Sequence, residues 1–207
     1  MTRTKIIRLK EQKKIVIAGA GPAGLAASLQ LARNKIEHIL LEKGDFPKDK
    51  ICGDALSGKV MDAMKKLDPE IAGRFYAQEN SAVGSYGVRF IAPGGRSLDV
   101  PFKKDLSKLS NAPGFISKRV HFDQFLFDQL DHTYCDFRPN AVLKSIRREN
   151  GKLVMECDRR TSSDELHCNL VIGADGDRSV VARQLGKKKM DARHYCAGLR
   201  CYYHNVS

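Results

Sequence analysis

The chain has 207 residues, of which 42% are hydrophobic and 29% charged, with a formal net charge of +12; this excludes a disordered polymer and describes a globular protein of one large or two small domains. Lys5, Arg8, Lys10, Lys13 and Lys14 are interleaved with polar residues and lead into no signal-type apolar run, so export is not expected and the protein reads as cytoplasmic. Cys52, Cys135, Cys157, Cys168, Cys196 and Cys201 form no C-x-x-C pair and have no histidine at zinc spacing, so they read as reduced, mostly buried thiols with no metal site.

Residues 1–12 read as a basic tail. The run Lys14-Ile15-Val16-Ile17-Ala18-Gly19-Ala20-Gly21-Pro22-Ala23-Gly24 predicts a buried strand, a glycine turn and a helix from about Pro22 to Arg33. A second strand, Ile39-Leu40-Leu41-Glu42-Lys43, ends in an acid. In this pattern Gly19 permits the tight turn, Gly21 lets backbone approach a pyrophosphate, and Gly24 lets helix and strand pack closely. Ala20, Pro22 and Ala23 complete the turn, whose amides and helix dipole face the phosphates. Glu42, with Lys43 beside it, is placed to accept hydrogen bonds from an adenosine ribose, and its charge repels a 2′-phosphate; the expected ligand is NAD or FAD, not NADP. Ile15 to Ala32 is uncharged and nearly long enough to span a bilayer, but its glycines, Pro22, Ser28 and Gln30 suit the turn reading better.

A loop at Gly44-Asp45-Phe46-Pro47 precedes Lys50-Ile51-Cys52-Gly53-Asp54 and a helical stretch from about Leu56 to Leu67, with Val60, Met64 and Leu67 on its apolar face and a turn at Asp68-Pro69. Gly87–Ile91 and Ser97–Phe102 predict a hairpin, Phe115–Arg119 a short strand, and Phe122, Phe125, Leu126 and Leu130 a helix. A second hairpin turns at Asn150-Gly151 between strands 141–146 and 152–157. Leu170–Ala174 reads as a parallel strand buried on both faces, ending in Asp175-Gly176-Asp177-Arg178-Ser179 and a helix with Val180, Val181 and Leu185. Asp175, at a strand's carboxyl end with Gly176 after it, is expected at the same rim as the glycine turn, placed to bond to the cofactor or to bound water, though an ordinary turn and helix cap would explain it as well. Lys187-Lys188-Lys189 and the N-terminal lysines accompany no nucleic-acid motif; a basic surface favouring anionic cofactors or an acidic membrane face is expected, and no nucleic acid.

The glycine turn and the later Asp175-Gly176, in this order, resemble the para-hydroxybenzoate hydroxylase-like flavoprotein superfamily, and Lys50-Ile51-Cys52-Gly53 resembles the Lys-x-Cys-Gly segment of its geranylgeranyl reductase family. Arg183 lies one position beyond where the hydroxylase pattern has its arginine. The resemblance implies a Rossmann-like α/β FAD-binding domain with a parallel sheet in two parts, residues 13–80 and 111–187, a β-hairpin excursion at 81–110 and the start of a substrate-binding sheet at 188–207. It implies that Gly19, Gly21 and Gly24 serve the pyrophosphate and Glu42 the ribose, that Arg119 lies near the phosphates or ribityl chain, that backbone of Val142 meets the adenine, and that Lys50, Cys52 and Gly53 lie toward the flavin ring. Because Ala197–Tyr203 resembles the first strand of that substrate sheet, the chain is expected to be the N-terminal portion of a longer protein.

Three functions are compatible with these residues. The first, implied by the resemblance, is an FAD-dependent reductase of isoprenoid double bonds, using NADH or NADPH, with Cys52 as a candidate proton donor and a lipophilic substrate. The second is a flavin monooxygenase or halogenase, and the third a non-catalytic nucleotide-binding module.

Overall fold

The computed structural model describes residues 15–78, 81–159, 162–186 and 192–204; the expected basic tail and Lys187–Lys189 lie outside them. Strand β1 (Ile15–Ala18) leads through Gly19–Gly21 into helix α1 (Pro22–Arg33), and β2 (His38–Leu41) follows. The apolar stretch from Ile15 to Ala32 is thus a strand, a turn and a helix. Next come β3 (Ala55–Leu56), α2 (Gly58–Leu67), α3 (Pro69–Tyr76), β4 (Val83–Ser85), β5 (Gly87–Ile91), β6 (Ser97–Pro101), β7 (Gly114–Ile116) and α4 (Arg119–Phe127). The remaining main elements are β8 (Cys135–Arg138), β9 (Val142–Glu149), β10 (Lys152–Asp158), β11 (Ser163–Cys168), β12 (Leu170–Gly173) and α5 (Val180–Gln184). No helix among the described residues is long and apolar enough to cross a membrane.

The chain forms two compact units, one comprising the described residues of Met1–Lys48 and Leu126–Ala197, the other those of Asp49–Phe125 and Gly198–Ser207. The first unit holds the expected α/β architecture: a parallel sheet in the order β12-β1-β2-β8 and an antiparallel sheet in the order β11-β10-β9. Strand alternation divides the buried residues of β1 and β2 between two faces. Val16, Ile39 and Leu41 join Ile146, Leu153, Met155, Leu166 and Cys168 in a core between the two sheets. His38 and Leu40 face the other way, toward α1, where the Ser28 hydroxyl donates to His38 Nε2 at 2.7 Å. The β9–β10 hairpin turns at Asn150 and Gly151, whose φ values of 49° and 76° suit a two-residue loop that matches strand twist.

Two expectations, one on β12 and one on the thiols, need correction, and two strands carry no signal in the sequence. Strand β12 lies at one edge of the sheet, and Leu170 is half exposed, so its apolar run marks an edge strand and not one buried on both faces. β8 and β11 were not foreseen; Cys-Asp-Phe-Arg and Ser-Asp-Glu-Leu-His-Cys carry charges that hide their strand character. Of the thiols, Cys135, Cys157 and Cys168 are buried, but Cys52, Cys196 and Cys201 are exposed; all six are unbridged.

The second unit centres on Phe75, which is fully buried and meets Phe115, Phe122 and Phe125 edge-on at centroid distances of 5.2 to 5.6 Å. Met61 and Met64 supply the buried face of α2, displacing the expected Val60 and Leu67, and Leu56 belongs to β3 and not to the helix. Asp68-Pro69 is a helix start: the Asp68 carboxylate accepts the Glu70 N–H at 2.8 Å and Pro69 opens α3, a capping pattern read too simply as a turn. β5 and β6 pair as expected, with Arg89 bidentate to Asp99 across the hairpin. Arg119 does not precede α4 but begins it, because its N–H is accepted by Asp54 Oδ1 at 3.2 Å. Residues Gly198–Tyr203 form no strand: Arg200 binds Asp49 at 2.6 Å and the Lys50 carbonyl at 3.1 Å, and the Tyr202 hydroxyl donates to Asp54 at 2.6 Å, so side chains rather than a backbone ladder hold this segment.

Candidate adenine-dinucleotide site and the Cys52 cluster

β1 lies between β12 and β2, with α1 crossing over to β2, so the sheet's order changes direction at β1. Ligands of open parallel sheets bind outside the carboxyl ends of strands at such a point. Two bends meet there. The Gly19 N–H donates to the Leu41 carbonyl at 2.9 Å, and the Ala174 N–H donates to the Ala18 carbonyl at 2.8 Å, continuing the sheet past β1 and β12. Gly19 has φ +98°, and a Cβ on it would sit 2.5 Å from the Ala174 carbonyl oxygen and 2.9 Å from Asp175 Cα, so the early and late bends are in direct contact.

The three fingerprint glycines differ in what surrounds them. A Cβ on Gly24 would lie 1.8 Å from the Gly19 carbonyl oxygen, so its absence lets α1 close on the turn. A Cβ on Gly21 would meet nothing within 4 Å: the backbone there borders open space. Gly21 is also the N-cap of α1, without any side-chain cap and with no acid in the first turn, which leaves the helix's positive end to an external anion. Pro22 occupies the first turn, and the exposed Ala23 and buried Gly24 follow it. These features fit a bound diphosphate.

Glu42 is 5% exposed at the end of β2. Its Oε2 accepts the Ala20 N–H at 2.9 Å and an ion-paired hydrogen bond from Lys48 Nζ, while Oε1 accepts the Gly44 N–H at 3.2 Å. The carboxylate is therefore oriented before any ligand arrives. Lys43 is exposed beside it. The Ala141 N–H donates to the Glu42 carbonyl at 2.8 Å, which brings the backbone of Val142 to the same rim. Lys48 was missed from sequence, because a lysine six residues past the acid belongs to no spacing rule.

Asp175 is engaged by its own bend. Its Oδ1 accepts the Ser179 hydroxyl at 2.5 Å and its Oδ2 accepts the Val180 and Val181 N–H groups at 2.6 and 3.2 Å, while Ser179 Oγ accepts the Ala182 N–H at 2.9 Å. The acid thus caps α5 and shapes the bend, and Gly176 at φ +81° completes it.

The remaining site candidates belong to the second unit. Arg119 is bidentate to Asp123 at 2.7 Å per bond, and Asp123 is wholly buried. Burial pushes the Cys52 thiol up, but hydrogen bonding from Arg119 and from the backbone at Asp54 and Gly53 outweighs it and holds the thiol below its ordinary range. Lys50 and Gly53 are exposed on the same loop, and the Lys50 carbonyl accepts Arg200. Asp54, Arg200 and Tyr202, which no sequence spacing signalled, tie this loop together; Tyr202 also lies under Lys118 and Arg200 at 4.9 and 4.6 Å from its ring centroid. No group of three or more histidine, cysteine or acidic side chains able to hold a metal occurs among the described residues.

A profile of the FAD binding domain matches residues 12–199. The chain belongs to the FAD binding domain family. Conditioned medium factor receptor 1 of Dictyostelium discoideum is 29% identical over 202 residues, covering 92% of this chain and 38% of that protein. Digeranylgeranylglycerophospholipid reductase 1 of Methanosphaera stadtmanae is 27% identical over 173 residues, covering 83% and 40%. Among solved structures, p-nitrophenol 4-monooxygenase PnpA from Pseudomonas putida DLL-E4 superposes with a TM-score of 0.71 at 18% identity, covering 86% of this chain and 44% of that one. A geranylgeranyl bacteriochlorophyll reductase-like protein from Thermoplasma acidophilum gives 0.65 at 21% identity, covering 80% and 40%. At these identities the structures share the fold. The chain spans about two fifths of the length of the curated relatives it matches.

Proposed function

We propose that this chain serves an FAD-dependent oxidoreductase that reduces isoprenoid carbon–carbon double bonds with NADH or NADPH as donor. The observation that carries the FAD reading is the contact between the Gly19 turn and the Asp175 bend, with Glu42 oriented by the Ala20 amide beside them. The amides at the start of α1 bind the diphosphate, Glu42 receives the adenosine ribose, and the Val142 backbone borders the adenine. When bound, the cofactor supplies hydride chemistry.

The reductase reading draws support from the similarity to a digeranylgeranylglycerophospholipid reductase and from the Cys52 environment. Saturating a carbon–carbon double bond needs a proton as well as a hydride. Cys52 Sγ is our candidate to donate that proton, with the Arg119 hydrogen bond stabilising the thiolate left behind. A basic chain of net charge +12 also suits work on a lipophilic substrate at an acidic membrane face.

The test is a single turnover without oxygen. Flavin-loaded protein is reduced anaerobically and mixed with a geranylgeranyl lipid. Recovery of the oxidised flavin spectrum with formation of saturated product is expected, and Cys52→Ser should slow it while flavin content stays intact. Recovery only on admitting oxygen, with a hydroxylated product, would replace this reading with a monooxygenase.

A further inference from the structure

The Glu42 carboxylate is nearly saturated with donors. An ionised carboxylate offers about four lone-pair positions. Three are taken, by the Ala20 N–H, the Gly44 N–H and Lys48 Nζ. An adenosine ribose presents two hydroxyls, so both can be accepted only if one donor leaves. The Ala20 and Gly44 amides are held by backbone: Gly19 is bonded to Leu41, and Ala141 to Glu42 itself. The Gly44–Lys48 loop is anchored as well, with Phe46 stacked on Phe127 at a centroid distance of 4.2 Å and Asn140 bonded to Asp45 at 2.6 Å. Lys48 is the donor free to move, on a flexible four-carbon stem.

We propose that Lys48 occupies the position on Glu42 that the second ribose hydroxyl takes, making Lys48 a displaceable affinity- and selectivity-setting residue of the adenosine site. The proposal rests on the assignment of this rim to the adenosine half of FAD. Its ammonium lies 4.8 Å from the Phe46 ring centroid, so it can withdraw over an aromatic face without moving the loop. Lys48 thereby lowers the reward for the 2′-hydroxyl: a ligand lacking it needs only the remaining lone pair and leaves the ion pair intact, whereas the complete ribose must compete with a cation.

The experiment compares ADP with 2′-deoxy-ADP by calorimetric titration of the 207-residue chain and of Lys48→Met. Using the ratio of the two affinities cancels the general attraction between a lysine and a diphosphate. Removing Lys48 is expected to raise the preference for ADP over 2′-deoxy-ADP about fivefold to tenfold, with Lys48→Arg keeping the parent ratio. A ratio unchanged in Lys48→Met, with both nucleotides still bound, would overturn the role of Lys48 and leave the site standing. Failure of the parent and both variants, each shown folded by its unfolding curve, to bind ADP would remove the site and the inference together.

Discussion

Gly21→Ala separates the binding role of the glycine turn from its folding role. The added Cβ would meet no heavy atom within 4 Å, and Gly21 has φ −79° and ψ −178°, an extended backbone that alanine adopts freely. Without ligand the substitution is therefore expected to be near neutral, because the reduced freedom of the unfolded chain, worth up to about 1 kcal/mol, is offset by alanine being a poorer N-cap than glycine by a similar amount. With FAD the same methyl enters the space assigned to the diphosphate, an overpacking that costs about 1–3 kcal/mol. That loss corresponds to a roughly 5- to 150-fold weaker affinity. Urea unfolding without FAD and a flavin-fluorescence titration measure the two halves. An unchanged FAD affinity would refute the placement of the diphosphate, and a ligand-free unfolding free energy lowered by more than about 1 kcal/mol would refute the claim of open space.

Gly24→Ala should behave oppositely, since its Cβ would lie 1.8 Å from the Gly19 carbonyl oxygen; a loss of about 1–3 kcal/mol in the same urea experiment, before any ligand is added, is expected. Arg119→Met strands the buried Asp123 carboxylate and should cost about 3–5 kcal/mol of unfolding free energy, with Asp123→Leu in the same chain restoring much of it. His38 is buried as a neutral ring, its Nδ1–H donated to the Ile36 carbonyl and its Nε2 accepting from Ser28, and burial holds its pKa down. A base depressed in the folded state binds fewer protons there than when unfolded, so its stabilisation is present above the ordinary value of about 6.5 and is lost as pH falls through the folded value. The unfolding midpoint should drop as pH falls below about 6.5, with a shallower slope in His38→Gln. Iodoacetamide labelling of Cys52, followed by mass spectrometry, should rise at lower pH than that of a model thiol and shift upward in a folded Arg119→Lys variant, because lysine lacks the guanidinium fork that reaches both Asp123 and the sulfur.

The parts of the fold legible in sequence are those where one physical requirement dominates. The β1–α1–β2 unit combines an apolar strand, glycines forced by backbone approach and an acid at a strand end, and the Asn150-Gly151 turn has only one good geometry. What escaped was decided by partners distant in the chain. β8 and β11 are strands because of the neighbours they pair with, despite their charged residues. Asp175 lies at the rim its strand-end position implies, and its hydrogen bonds to Ser179, Val180 and Val181, which no spacing reports, shape the bend. Lys48 and Asp54 acquire their roles from loop geometry, Asp54 in a left-handed conformation with φ 55°, and no periodicity reports that.

Amide hydrogen exchange of the chain with and without FAD reads out whether the Gly19 turn, Glu42 and the Asp175 bend form one FAD-binding rim. Protection on adding FAD is expected to concentrate in residues 19–25, 42–44, 141–143 and 174–181. Protection elsewhere, with these segments exchanging as before, would contradict it.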